Sequence, residues 1–246
     1  MKKKILAIIP ARGGSKRIKN KNLTKINGFP LIYYTLKYAK SSGLCDMIFV
    51  STDDKKISNY VKKLGFSVPF LRPKKIAKSE TSDEPVLKHV CETLEKKNIF
   101  FPEIIIFLRP TTPFRKKGLI KKLLNSYFKN KATSVRSARK VGHWHPFWMF
   151  KEGKNKKLKE VITKKNFFKY YQSQMLPDYL KHDGYCDIID RKNLKSKNIK
   201  KGLFNMYGKK MIYELNEDDY FINIDDNKDL KLAKLTERII KKDVRY

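Results

Sequence analysis

Apolar positions along this chain follow two periods that take turns. Ile5-Leu6-Ala7-Ile8-Ile9 is a short continuous run rich in β-branched residues, closed by Pro10, and reads as a strand buried on both faces. After Gly28 the spacing changes. Leu31, Tyr34 and Tyr38 stand at i, i+3 and i+7 beside Ile32, Leu36 and Ala39, predicting an amphipathic helix that stops at Gly43. Residues 47–50 predict a second strand, Asp53-Asp54 a cap for a helix running to Gly65, and 84–97 another helix. Residues 104–108 form a third apolar strand, followed by a helix over 117–128 and a strand over 134–137. Further strands are expected near 186–189 and 220–224. A final helix is expected over 226–241, with Leu232, Leu235 and Ile239 on its apolar face.

Strands alternating with helices of this length imply βαβ units and a mostly parallel sheet. Such sheets bind ligands beyond the carboxyl ends of their strands, so the loops after Ile9, Ser51 and Leu108 are the ones to inspect. Between 140 and 185 the alternation fails. Trp144, Phe147, Trp148, Phe167, Phe168, Tyr170 and Tyr171 crowd there among lysines. Linkers are poor in aromatics, so this stretch reads as a subdomain or a dimer-forming insertion within a single domain spanning 1–246. No internal repeat is visible.

Composition narrows the classes. The chain has 246 residues, of which 41% are hydrophobic, enough for a packed core and against global disorder. No apolar run approaches the ~18 residues of a membrane helix. The N-terminus lacks the apolar segment and cleavage site of a signal peptide. Cys45, Cys91 and Cys186 are widely spaced, without the pairing pattern of a zinc site or a disulfide framework. A cytoplasmic protein without a membrane partner is expected. The net charge of +33 invites a nucleic-acid reading. Only ten of the 57 basic residues are Arg, however, and the lysines are spread along the whole chain. Solvated surface with nonspecific polyanion binding fits that spread better than a binding stripe.

The loop Ala11-Arg12-Gly13-Gly14-Ser15-Lys16-Arg17 follows the first strand directly. Glycines let a ligand approach the backbone, exposed N–H groups bind anions, and Arg12, Ser15, Lys16 and Arg17 add charge-assisted donors. These are the groups a triphosphate needs, although a solvated glycine turn remains the alternative. The loop matches neither the P-loop nor the dinucleotide fingerprint.

The segment from Ile9 through Ile18, with Lys21-Asn22 after it, resembles the signature of acylneuraminate cytidylyltransferases, the CMP-sialic, CMP-legionaminic and CMP-pseudaminic acid synthetases. Further blocks match that family in order: Gly28-Phe29-Pro30-Leu31-Ile32, Val50-Ser51-Thr52-Asp53-Asp54, Phe70-Leu71-Arg72-Pro73, the run from Leu108 to Arg115, the Gln174 to Pro177 segment, and Asn223-Ile224-Asp225 with Asp229-Leu230. The resemblance implies a three-layer, Rossmann-like α/β nucleotidyltransferase fold with a small inserted dimerisation region. It implies transfer of CMP from CTP to the anomeric hydroxyl of a nine-carbon 2-keto sugar acid, with release of pyrophosphate, in a homodimer. By position it gives CTP to Arg12, Gly13, Gly14, Ser15, Lys16, Lys21, Asn22 and Arg72. The sugar acid falls to Arg109, Thr111, Thr112, Gln174 and Lys181. Catalysis falls to Arg12, Lys16, Lys21 and Asp225, with Asp225 as the ligand of a Mg²⁺ cofactor. A 3-deoxy-manno-octulosonate cytidylyltransferase shares fold and reaction and is the near alternative. A basic nucleic-acid-binding protein is the alternative of another class.

Three positions depart from the family pattern. Asn223 replaces the first aspartate of an acidic pair, which leaves a second metal to Asp226 or to nothing. Arg109 replaces a glutamine, and Ser173 an arginine. Local readings compete as well. Asp225, Asp226 and Asp229 suit a helix cap. Thr111 and Thr112 suit a turn between Pro110 and Pro113. His143 and His145 suit packing better than metal binding, because no third ligand lies near them in sequence.

Overall fold

The computed structural model describes residues 3–162, 170–195 and 205–240. A six-stranded sheet runs in the order β10-β6-β9-β5-β1-β4. Its strands are β1 (Ile5–Pro10), β4 (Met47–Ser51), β5 (Ile104–Phe107), β6 (Ser134–Lys140), β9 (Leu180–Asp190) and β10 (Met211–Leu215). β1 pairs in parallel with β4 on one side and β5 on the other, in registers such as Ile8 opposite Phe49 and Phe107. β9 runs antiparallel to β5, with Ile105 opposite Ile189.

The sheet is buried on both faces, as continuous apolar strands require. Ile5, Ala7, Ile9, Ile104 and Ile106 face one core. Residues from three helices pack there: α1 (Leu31–Ser41), α2 (Lys55–Lys63) and α4 (Leu119–Lys129). Leu6, Ile8, Ile105 and Phe107 face the other core, with Leu87, Val90, Cys91 and Leu94 of α3 (Asp83–Lys96) and Leu194 of α5 (Arg191–Lys195). This is a three-layer α/β fold. The short strands β2 (Lys25–Ile26) and β3 (Phe29–Pro30) form a hairpin beside a third cluster, in which Ile26, Ile222 and Ile224 meet Ala233 and Ile240 of α6 (Asn227–Ile240).

Two sequence expectations fail here. Residues 220–224 are not a strand of the sheet. Their alternation arises because Ile222 and Ile224 enter the third cluster, while the edge strand is β10. On α6, Leu232, Leu235 and Ile239 are exposed, and Ala233, Thr236, Glu237 and Ile240 are buried instead. Polar anchoring sets that rotation: the Asn27 side-chain amide donates to the Lys234 carbonyl and to Glu237.

The chain divides into two compact units, Met1–Ser137 with Gly184–Tyr246, and Ala138–Asp183. The second contains the hairpin β7 (Phe150–Glu152) and β8 (Leu158–Glu160). Its aromatic centre has Phe147 stacked on Tyr170 and edge-on to Tyr179, with the Trp148 indole N–H donating to the Tyr170 carbonyl. Phe167 and Phe168 lie outside the described residues.

Candidate active site

The glycine loop is held from below by its neighbours. The Ala11 N–H donates to the Ser51 carbonyl at 2.8 Å, and the buried Asn22 amide donates to the Arg12 carbonyl at 3.0 Å. Asp54 caps α2 by accepting from the Lys56 and Ile57 N–H groups. Asp53, expected only as part of that cap, instead accepts the Gly13 N–H at 2.9 Å. A Cβ on Gly13 would stand 2.6 Å from Asp54 Oδ2, so only glycine fits against the cap. A Cβ on Gly14 would meet only the Arg12 guanidinium, at an ordinary contact distance of 3.8 Å. The Ser15 N–H turns back to the Gly13 carbonyl. Both of these loop amides, read from sequence as exposed anion donors, are engaged within the protein.

Those side chains converge. Arg12, Ser15, Lys21, Asn22, Arg72, Arg109 and Thr111 line one cleft at the carboxyl ends of β1, β4 and β5, where ligands of open α/β sheets bind. The cleft also takes Lys78, Ser79, Thr81 and Asp83, which carried no sequence signal. Its five cations face a single carboxylate, that of Asp83. Arg72 is buried; its Nε donates to Ser51 Oγ and its Nη2 to the Ser51 carbonyl. Burial lowers its pKa to about 10 against the pull of Asp53 and Asp83, so it stays a cation at neutral pH. Lys16 is exposed and outside the cleft lining; its charge adds to the Ser79 hydroxyl in keeping the Glu80 carboxyl low.

Arg109 is committed elsewhere than sequence suggests. Its Nη1 donates to Asp187 at 3.0 Å and its Nη2 to Asp83 at 2.6 Å, with the guanidinium 4.4 Å from the centre of the Phe107 ring. Burial works against its charge, but Asp187 and then Asp83 outweigh that and raise its pKa. One N–H at each end of the fork is taken, so Arg109 positions Asp83 at the cleft. Thr112 is buried under the loop, bonded to the Arg109 carbonyl and to Arg115, as a turn former and not a cleft residue. The fully buried Arg115 also donates to Thr35, the Tyr185 carbonyl and the Arg109 carbonyl.

Asp225 is drawn in by Lys21, whose ammonium donates to the Ile224 carbonyl at 2.9 Å and to Asp225 Oδ1 at 3.3 Å. The Ile224 N–H in turn donates to the Thr111 carbonyl, fixing this segment to the loop after β5. The Asn223 amide donates to Asp225 Oδ2. Asp226 is spent on capping: its Oδ1 accepts the Lys228 and Asp229 N–H groups, while Asp229 accepts those of Asp225 and Asp226. Among the described residues no three His, Cys, Asp or Glu side chains form a metal-binding group. His145 is buried, accepting the Phe147 N–H at Nδ1. Gln174 and Lys181 belong to the second unit, where Gln174 bonds Gln172.

A family model described as cytidylyltransferase matches residues 6–238. The chain belongs to the cytidylyltransferase family. A CMP-N,N'-diacetyllegionaminic acid synthase of Legionella pneumophila is 42% identical over 121 residues, 48% of this chain and 50% of that protein. A pseudaminic acid cytidylyltransferase of Campylobacter jejuni is 35% identical over 129 residues, 52% of this chain and 55% of that one. The chain thus spans about half the length of the curated relatives it matches. In fold it is similar to a CMP:2-keto-3-deoxy-manno-octonic acid synthetase complexed with CTP, with a TM-score of 0.70 at 17% identity, over 97% of this chain and 99% of that structure.

Proposed function

We propose that this cytidylyltransferase transfers CMP from CTP to the anomeric hydroxyl of a nonulosonic acid, with release of pyrophosphate. The observation that carries the reading is the convergence of Arg12, Lys21 and Arg72 on one cleft at the sheet's carboxyl edge. Arg12, Lys21 and the Ser15 hydroxyl are suited to hold the phosphates, with Lys16 at the margin, and Arg72 is suited to the nucleoside. The sugar hydroxyl forms the new bond to the α-phosphorus as the bond to the β-phosphate oxygen breaks; the hydroxyl proton is lost and pyrophosphate departs. Fixed cations that meet charge on the phosphate oxygens supply most of such catalysis. Asp83, the cleft's lone acceptor-only group, suits hydroxyl or amino donors of a ligand.

Mg²⁺ is the expected cofactor. Asp225 is half exposed and each of its oxygens accepts one hydrogen bond, which leaves lone pairs for a hard cation. One carboxylate suits Mg²⁺, which completes its shell with phosphates and waters. Asp226 is occupied as a cap and Asn223 turns its N–H on Asp225, so the residues fit one ion held by Asp225. Bound there, it would neutralise phosphate charge.

The names of the relatives above favour a legionaminic or pseudaminic type of acid over an octulosonate. Exposed aromatics in the second unit, Trp144 at 74% and Tyr171 at 68%, support a homodimer contact there. The net charge supports salt-sensitive, nonspecific binding of nucleic acid. We place the reaction in the cytoplasm. The direct test is calorimetric titration with CTP: wild type binds, and Arg72→Ala weakens binding by about tenfold or more, as loss of charge-assisted bonds requires. Unchanged affinity in that variant would remove the cleft from the nucleotide site.

A further inference from the structure

Helix α6 is amphipathic twice over. One face is buried through Ala233, Thr236, Glu237 and Ile240. A second face, about 120° round the helix, exposes Leu232, Leu235 and Ile239 at 54, 58 and 57%. At 100° per residue these three fall within an arc of about 60°, one continuous apolar stripe. Lys231, Lys234 and Arg238 are exposed along one edge of it, each directly before an apolar residue. The helix's acids are turned away: Asp229 is bonded to the Asp225 and Asp226 N–H groups at the N-terminus, and Glu237 is buried against Asn27. From Lys231 to Ile239 the exposed residues of α6 are therefore leucine, isoleucine and cations only.

We infer that this face seats the protein peripherally on an anionic lipid bilayer. A second copy would satisfy the stripe but offer its cations no partner. A nucleic acid would satisfy the cations and leave the leucines in water. An anionic bilayer satisfies both: the apolar stripe enters the headgroup–acyl boundary while the cations stay at the headgroups. None of these residues lines the cleft, so docking leaves the site described above untouched.

The test is flotation of the full chain with vesicles of phosphatidylcholine plus phosphatidylglycerol, and of phosphatidylcholine alone, at about 0.15 M salt, where exposed charge alone is screened beyond ~8 Å. Wild type floats with the anionic vesicles only. The variant Leu232→Ser/Leu235→Ser/Ile239→Ser keeps every charge and partitions at least about tenfold more weakly. Lys231→Glu/Lys234→Glu/Arg238→Glu keeps the stripe and loses binding as well; circular dichroism verifies the helix in both. Anionic-vesicle binding by the serine variant equal to wild type overturns the inference in favour of net charge. Failure of wild type to float overturns it too, and so does concentration-dependent self-association, or RNA binding, that disappears in the serine variant.

Discussion

Asp225 is held by an ammonium on one oxygen and an amide on the other, and it sits on the segment that Thr111 ties to the loop after β5. Its replacement by Ala should reduce turnover by about 100-fold or more while CTP binding, measured by calorimetry, stays within a few-fold. Unchanged turnover would take Asp225 out of the mechanism. Asp187 is a different kind of residue. It is fully buried between Arg109, Arg136 and the Tyr207 hydroxyl. Asp187→Ala strands those guanidinium groups and should cost about 3 kcal/mol in a denaturant titration, with Asp83 loosened at the cleft. A loss below about 0.5 kcal/mol, typical of surface changes, would contradict the bridge. Arg12, Ser15, Lys21, Asn22 and Arg72 were legible in sequence because they lie in blocks that resemble a known signature. The contact of Asp53 with Gly13 was not, nor were Asp83 and Asp187, since their partners stand 26 to 78 residues away and only the fold joins them.

Among the elements, the unit from β1 through α2 decides how the glycine-loop side of the cleft is built. Gly13 lies against the carboxylate that caps α2, and Asp54 cannot yield without uncapping that helix. Gly13→Ala should destabilise the protein by about 1–3 kcal/mol and weaken CTP binding, whereas Gly14→Ala, whose Cβ makes only an ordinary contact with Arg12, should change stability by less than about 1 kcal/mol. Equal effects at the two glycines would contradict this packing. The central strands and helices α1 to α4 could be read from period and punctuation, because burial on both sheet faces leaves a pattern that tertiary context does not overturn. The last helix was readable as a helix but not in its orientation. Leu232, Leu235 and Ile239 have the spacing of a core face, and hydrogen bonds from Asn27, over 200 positions earlier, turn the other side inward. The run over 220–224 misled for a related reason: two isoleucines entering a side cluster look like strand alternation.

At the scale of the whole molecule, a charge of +33 is a property of the surface, and the cleft's five cations are a small part of it. What separates this cleft from a generally cationic surface is position: Arg72 is fixed by Ser51, Arg109 by Asp83 and Asp187, and Lys21 by Asp225, at the edge where βαβ sheets bind ligands. No helix among the described residues is long and apolar enough to cross a membrane. The measurement that tests the central claim most directly is mass spectrometry of products from CTP, Mg²⁺ and a panel of neuraminic, legionaminic, pseudaminic and octulosonic acids, with UTP and chelator controls. The account predicts a CMP-sugar and pyrophosphate from a nine-carbon acid, with no product from UTP or after chelation. A CMP-sugar from the octulosonic acid alone would move the substrate to the eight-carbon class. Absence of product from every acid, together with absence of CTP binding, would contradict the cytidylyl-transfer reading altogether.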